Sequence, residues 1–173
     1  MYNKLGRYVL MAIFVFSALV SIYNYQYQLA AISGLLFCFI LWSHFKHSSV
    51  LLASKHFKNS DYDKAEKFLN EVDNPDRLAK GRRGFYEFMR ANIALKRNEH
   101  DAAEHHFQIA SRFPLGGKND KAYVLIHLAN LALRKKDGAR ALAYVEKAKE
   151  LATSSRALEI IINIEKEAKK LAN

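Results

Sequence analysis

A repeat of 38 residues constrains the fold of this chain more than any other feature of its sequence. Two sets of alanines follow this spacing: Ala53, Ala91 and Ala129, then Ala65, Ala103 and Ala141. Two further sets of residues follow the same spacing: Leu69, Phe107 and Val145, then Val72, Ala110 and Ala148. Internal periods of roughly 20 to 50 residues are typical of solenoids, in which each repeat is one supersecondary unit. The pattern predicts antiparallel helix pairs that pack closely at the alanines.

The turn inside each repeat has its own signature. The three segments read NSDYDKAEKFL, RNEHDAAEHHF and KKDGARALAYV, and each has an acid where the second helix should begin: Asp61, Glu99 and Asp137. An acid at that position caps exposed backbone amides and complements the helix dipole. We therefore expect all three acids to cap helices.

This pattern resembles the tetratricopeptide repeat family. The family's small residue in the first helix corresponds to Ala53, Ala91 and Ala129, and the alanine early in its second helix to Ala65, Ala103 and Ala141. Its late small residue corresponds to Ala110 and Ala148, with Val72 departing in the first unit, and its turn glycine is replaced by Ser60, Asn98 and Lys136. The resemblance implies an α-solenoid whose inner face binds a peptide or a partner helix.

The first 45 residues differ in composition from the rest. No Asp or Glu precedes Asp61, and residues 8–23 and 29–43 form two uncharged apolar runs. Each run extends to about 17 to 20 residues, enough for a hydrocarbon core of about 30 Å. The polar NYQYQ between them is long enough only for a tight reversal. We therefore predict an antiparallel transmembrane hairpin, with a cleaved signal peptide and a buried soluble hairpin as alternatives.

The predicted fold is all-α: a two-helix transmembrane hairpin, then a tetratricopeptide-like solenoid of about three helical hairpins with a C-terminal capping helix. The hairpin covers residues 1–45, with helices at about 7–24 and 28–44. The repeat domain covers residues 46–173, with units at about 44–73, 82–112 and 120–152 and a capping helix at about 155–171. The first repeat helix should continue the second membrane helix directly from about His44. Ala157, Ile161, Ile164, Ala168 and Leu171 should line the packed side of the capping helix.

Basic residues predict the orientation. Lys4 and Arg7 precede the first apolar run, Lys46, Lys55 and Lys58 follow the second, and the turn has none. Cytoplasmic flanks carry the excess of Lys and Arg, so both ends should face the cytoplasm. The layout is also similar to the amino-terminal region of HemY-type inner-membrane proteins, and that resemblance implies the bacterial inner membrane.

The repeat register predicts a partner-binding groove on the first helix of each pair. Asn92 and Asn130 would bind a peptide backbone, and aromatic side chains would supply apolar contact to a partner with an acidic portion. The groove residues are Lys58, Phe85, Phe88, Asn92, Lys96, Tyr123, Ile126, Asn130 and Arg134. The alternative is that Phe88 belongs to the core and the cations form a solvated edge.

No motif for catalysis, cofactor binding or metal binding is present. Cys38 has no partner cysteine, and adjacent His105 and His106 point about 100° apart on a helix, which does not suit one ion. For His44, His47 and His100, too, no cysteine and no tight acidic cluster completes a site. The net charge of +10 does not predict nucleic-acid binding, because bases and acids are interleaved after Asp61.

The sequence thus predicts a non-enzymatic, membrane-anchored adaptor or scaffold that binds proteins at the cytoplasmic face. The alternative is a structural accessory subunit of a larger membrane complex, without a separable ligand. Small residues at Ala12, Ala18, Ala30, Ala31 and Gly34 would permit packing against other membrane helices.

Overall fold

A computed structural model describes the backbone of residues 4–46 and 49–172 and the side chains of residues 6, 8–41 and 49–171. These residues form nine α-helices and no strand, so the all-α prediction is confirmed. The helices are α1 (Lys4–Tyr23), α2 (Tyr27–Lys46), α3 (Val50–Lys58), α4 (Tyr62–Asn70), α5 (Lys80–Lys96), α6 (His100–Ser111), α7 (Lys118–Arg134), α8 (Gly138–Leu151) and α9 (Ser155–Ala172).

The chain divides into two compact units, Met1–Ser48 and Ser49–Asn173. In the first unit, α1 and α2 pack as a helical hairpin with a hydrogen bond of 3.2 Å between the hydroxyls of Ser17 and Ser33. Tyr25 in the turn has a left-handed backbone, with φ of 57°. Within the part of the chain that the structure describes, no helix combines the length and the apolar character needed to cross a membrane.

The second unit consists of three helical hairpins, α3/α4, α5/α6 and α7/α8, with α9 packed against α7 and α8. Successive hairpins also contact each other, in agreement with the predicted repeat-like packing. The expected helix from about His44 is wrong in its start, because α2 ends at Lys46 and α3 begins at Val50. Residues 47 and 48 lie outside the described residues.

Close packing at the repeated alanines holds each hairpin together. The six alanines of the two sets have no exposed surface: Ala53, Ala65, Ala91, Ala103, Ala129 and Ala141. The bulky positions Leu69, Phe107 and Val145 are buried beside them. A methyl group at each crossing lets the two backbones approach, and the larger side chain fills the adjacent space. The 38-residue period is therefore a packing period.

The three repeat turns have the same backbone geometry. Ser60, Asn98 and Lys136 adopt left-handed conformations, with φ of 59°, 61° and 58°. The amide after each of them donates to the carbonyl five residues earlier, as Asp61 does to His56 at 3.0 Å. These bonds satisfy carbonyls at the end of the first helix. The turn therefore needs a left-handed residue, although none of the three is glycine.

The predicted acid caps form in two of the three turns. Asp61 accepts a hydrogen bond from the Lys64 amide at 3.3 Å, and Asp137 accepts one from the Arg140 amide at 2.9 Å. Glu99 makes no side-chain cap bond, so the prediction is wrong there. Its carboxylate is one methylene further from the backbone than that of Asp.

The last helix closes the array. The Ala157 amide donates to the Ser154 hydroxyl, which identifies Ser154 as its cap. The predicted packed side is confirmed at Ala157, Ile161, Ile164 and Ala168, which are buried, but Leu171 is 46% exposed. Leu171 lies in the last turn of α9, where none of the described helices covers it.

The turn geometry gives a stability prediction. We expect Lys136→Gly to raise the free energy of unfolding by roughly 0.5–1 kcal/mol, because a left-handed conformation is strained for most side chains and easy for glycine. Asn98→Gly is the matched control and should change stability little, since asparagine tolerates this conformation. Denaturant unfolding of the full chain, followed by circular dichroism, measures both. Equal effects of the two substitutions would contradict the argument.

Candidate functional site

The three groove cations lie in equivalent places at the ends of successive helices. Lys58, Lys96 and Arg134 are the last residues of α3, α5 and α7, and all three are exposed. None of them forms an ion pair with a described residue, although the Lys96 ammonium lies 5.1 Å from the centre of the Tyr62 ring. Their charge is therefore available to an acidic group from outside.

The two groove asparagines differ in their surroundings. The amide nitrogen of Asn92 donates to the Phe88 carbonyl of its own helix at 2.7 Å, and its side chain is half-buried. Asn130 is exposed. Asn130 is thus open to a ligand, whereas Asn92 keeps its amide oxygen as an acceptor and already uses a donor within its helix.

The apolar groove residues lie mostly in the core. Phe88 packs edge-on between Phe57 and Phe107, with ring centres 6.1 and 6.2 Å apart. Ile126 is only 4% exposed, and Tyr123 is half-buried against the same core. Phe85 is the most open of the set, at 36%. The packing therefore leaves the cations and Asn130 as the main accessible groups of the predicted groove.

Charge is distributed unevenly between the two helices of each hairpin. The first helices, α3, α5 and α7, together carry ten Lys and Arg but only two Asp and Glu. The second helices, α4, α6 and α8, carry five bases and six acids. Basic residues are therefore concentrated in the first helices, which carry the predicted groove. In the second helices, bases and acids nearly balance.

Two ion pairs that sequence reasoning missed connect successive hairpins. Glu66 of α4 pairs with Arg97 after α5, and Glu104 of α6 pairs with Lys135 after α7 at 2.7 Å. Lys135 also pairs with Asp101. Its hydrogen bonds to Asp101, which has the larger effect, and to Glu104 raise the pKa of the Lys135 ammonium. Glu66 and Glu104 are 38 residues apart, and so are Arg97 and Lys135. The repeat spacing that identifies the alanines could therefore also have identified both pairs.

A buried carboxylate in α5 also escaped prediction. Glu87 is 2% exposed and binds the Arg83 guanidinium at 3.0 Å and His106 Nδ1 at 2.6 Å. A buried carboxylate needs such partners to offset its desolvation. His106 therefore has a structural partner in the protein, the Glu87 carboxylate.

No group of three or more His, Cys, Asp or Glu that could hold a metal ion occurs among the described residues. The side chains of His44 and His47 lie outside them. Comparisons with protein-family models, curated proteins and solved structures give no match to this chain. The tetratricopeptide assignment therefore stays a prediction from the sequence.

His127 of α7 connects the second and third hairpins by a ring contact. Its imidazole stacks on Phe107 of α6, with ring centres 4.8 Å apart and planes 7° from parallel. Burial disfavours the charged ring and lowers the pKa of His127 below its usual value. The half-buried imidazole in its neutral form therefore packs on Phe107 as an aromatic ring.

This lowered pKa predicts how stability depends on pH. Above about pH 6.5, His127 is neutral whether the chain is folded or unfolded. As the pH falls below that value, the unfolded chain binds the proton first, so stability decreases until the pH passes the folded pKa. We expect His127→Phe, which keeps the ring stack, to lose less stability than the wild type between about pH 7.5 and 5.5. Equal losses in denaturant unfolding would contradict this assignment.

Proposed function

We propose that the chain is a non-enzymatic adaptor or scaffold, anchored in the bacterial inner membrane by the α1/α2 hairpin. Its tetratricopeptide-type repeats would bind a protein or peptide partner with an acidic portion at the cytoplasmic face. Two properties support the proposal. They are the exposed apolar surface of the hairpin and the unpaired cations of the basic first helices.

The anchor is supported by where apolar surface is exposed. Of the 23 large hydrophobic residues that are exposed, 18 belong to residues 8–41. Helices that are hydrophobic on all sides need lipid or protein around them. The 20-residue lengths of α1 and α2 and the uncharged runs in the sequence agree with lipid. One finding does not support the anchor: no described helix is long and apolar enough to cross a membrane.

The partner class is supported by the row of Lys58, Lys96 and Arg134. Equivalent cations at one repeat spacing would bind a chain that presents several carboxylates, and exposed Asn130 would add a polar contact. Rim charges of this kind mainly increase the association rate and its dependence on salt. A partner with acidic residues is therefore favoured over an apolar one.

A second candidate function is a structural subunit whose hairpin packs with other membrane helices. Gly34 of α2 favours it, because, apart from its chain neighbours and the nearby backbone of α2, no described atom lies within 4 Å of the place where a Cβ would be. Small residues with free space beside them let another helix approach closely. Gly34→Leu should disrupt assembly with such helices while leaving the groove unchanged.

A charge-reversal variant tests the adaptor proposal. The full chain is crosslinked in native membranes and purified, with and without Lys58→Glu, Lys96→Glu and Arg134→Glu combined. We expect co-purification of an acidic partner to fall by about tenfold or more, since losing each close charge contact costs on the order of 1 kcal/mol. Lys147→Glu on α8, an exposed site of a second helix, is the control.

The two candidate functions give different results. Loss of a partner in the triple variant, with retention in Lys147→Glu, supports the adaptor. Retention in the triple variant and loss in Gly34→Leu supports the structural subunit and contradicts the groove.

A further inference from the structure

A second basic region lies at the end of the repeats opposite the three turns. It consists of residues 73–84, 112–121 and 152–159, which are the starts of α5, α7 and α9 with the connections that precede them. We name it the basic edge. It contains eight Lys and Arg against four Asp and Glu. Those cations are Arg77, Lys80, Arg82, Arg83, Arg112, Lys118, Lys121 and Arg156.

Short contacts show that the segments of the basic edge are continuous. A Cβ added to Gly84 would lie 2.8 Å from the Pro114 carbonyl, so the start of α5 touches the connection before α7. The Thr153 amide donates to Asn119 at 2.8 Å, which joins the start of α7 to the connection before α9. The polypeptide also enters the repeat unit at this end, where the Ser49 hydroxyl donates to Glu71 at 2.8 Å.

Most cations of the basic edge have no acidic partner. Arg83 is neutralised by Glu87 and Asp76, but the other seven form no ion pair with a described residue. Among the acids, Asp76 is held by Arg83, and Asp120 accepts a hydrogen bond from the Gly117 amide. The edge therefore presents an excess of positive charge to its surroundings.

Three of these cations occupy places that helix stability does not favour. Lys80, Lys118 and Arg156 are 38 residues apart, and each lies at the first or second position of its helix. The positive end of the helix dipole disfavours cations there and favours acids. The second helices do begin with acids, such as Asp61 and Asp137. Folding therefore does not explain the cation row, which suits an anion outside the protein.

Exposed apolar side chains gather at the same end. Among the described residues of the repeat unit, five large hydrophobic residues are exposed, and three of them lie in the first two turns of α3, α5 and α9. They are Leu51, Phe85 and Leu158. Cations beside exposed aromatic and aliphatic groups suit the interface of an anionic bilayer, where charge and apolar surface both contribute to binding.

We propose that the basic edge binds the headgroups of anionic lipids, with Lys80, Lys118 and Arg156 as its central row. This inference rests on the proposed membrane anchor, because the anchor would keep the edge at a high concentration near lipid. Each basic residue close to an anionic surface changes partitioning by roughly fivefold. Three such residues together would change partitioning by roughly a hundredfold.

The test uses the full chain in vesicles, with Cys38→Ser and one new cysteine carrying a fluorophore. Gly81→Cys places the label at the basic edge, where the Cβ position has free space around it. Ala102→Cys places the label at the exposed start of α6. A nitroxide-labelled phosphatidylcholine reports headgroup contact by quenching. Vesicles contain phosphatidylcholine alone or with phosphatidylglycerol.

We expect phosphatidylglycerol to increase quenching at position 81 at least about threefold, with little change at position 102. The increase should disappear from about 0.1 M to about 1 M salt, over which the Debye length falls from about 10 Å to about 3 Å. Combined Lys80→Glu, Lys118→Glu and Arg156→Glu should abolish it. Acids suit the starts of these helices, so unfolding would not explain the loss.

The reversal of Lys58, Lys96 and Arg134 is the control, since it changes the net charge equally at the other end of the first helices. Equal quenching in neutral and anionic vesicles, or equal effects of the two triple variants, would overturn the proposal. So would binding of a short duplex DNA to the wild type that displaces anionic lipid from the edge. Release of the chain from neutral vesicles by carbonate would instead show that the anchor proposal has failed.

Discussion

The apolar surface of α1 and α2 is the constraint on which the functional account depends. Most of the exposed large hydrophobic residues belong to this one hairpin, while Ser17 and Ser33 are hydrogen-bonded to each other between the helices. Soluble monomers rarely expose apolar patches of this extent. We propose lipid as the surroundings because the exposed surface of the hairpin is largely apolar and the Ser17 and Ser33 hydroxyls bond to each other.

The repeat unit packs its short helices closely through small residues at the helix crossings. Alanine at each helix crossing brings the backbones together, and Glu66 and Glu104 then tie each hairpin to the next through Arg97 and Lys135. In these pairs, acids of the second helices bind cations that follow the first helices, while Lys58, Lys96 and Arg134 form no ion pair with a described residue. The stacking of the hairpins and the charge on their surface thus both follow from the 38-residue repeat.

Much of the fold followed from periodicity, because packing positions are visible as residue types. Ala91, Phe107 and Ile161 were predicted to be buried and are buried. Helix ends were less predictable, since the start of α3 at Val50 depends on local backbone geometry that the apolar pattern does not encode. The failed cap at Glu99 reflects side-chain length, which a pattern of acids does not distinguish.

The groove was harder to predict than the fold. Sequence register gave the positions of Phe88 and Ile126 along their helices, but it did not show that neighbouring hairpins cover them. Exposure of Lys58, Lys96 and Arg134 follows from their places at helix ends. The charge difference between first and second helices was missed because it appears only when charges are counted helix by helix, and the exact helix ends come from the structure.

The most direct test of the central claim is an alkaline carbonate wash of native membranes that contain the intact chain. A hairpin embedded in lipid stays with the membrane pellet, whereas a chain held by charge or by a partner protein is released. Our account predicts retention in the pellet. Recovery of the chain in the supernatant would contradict it.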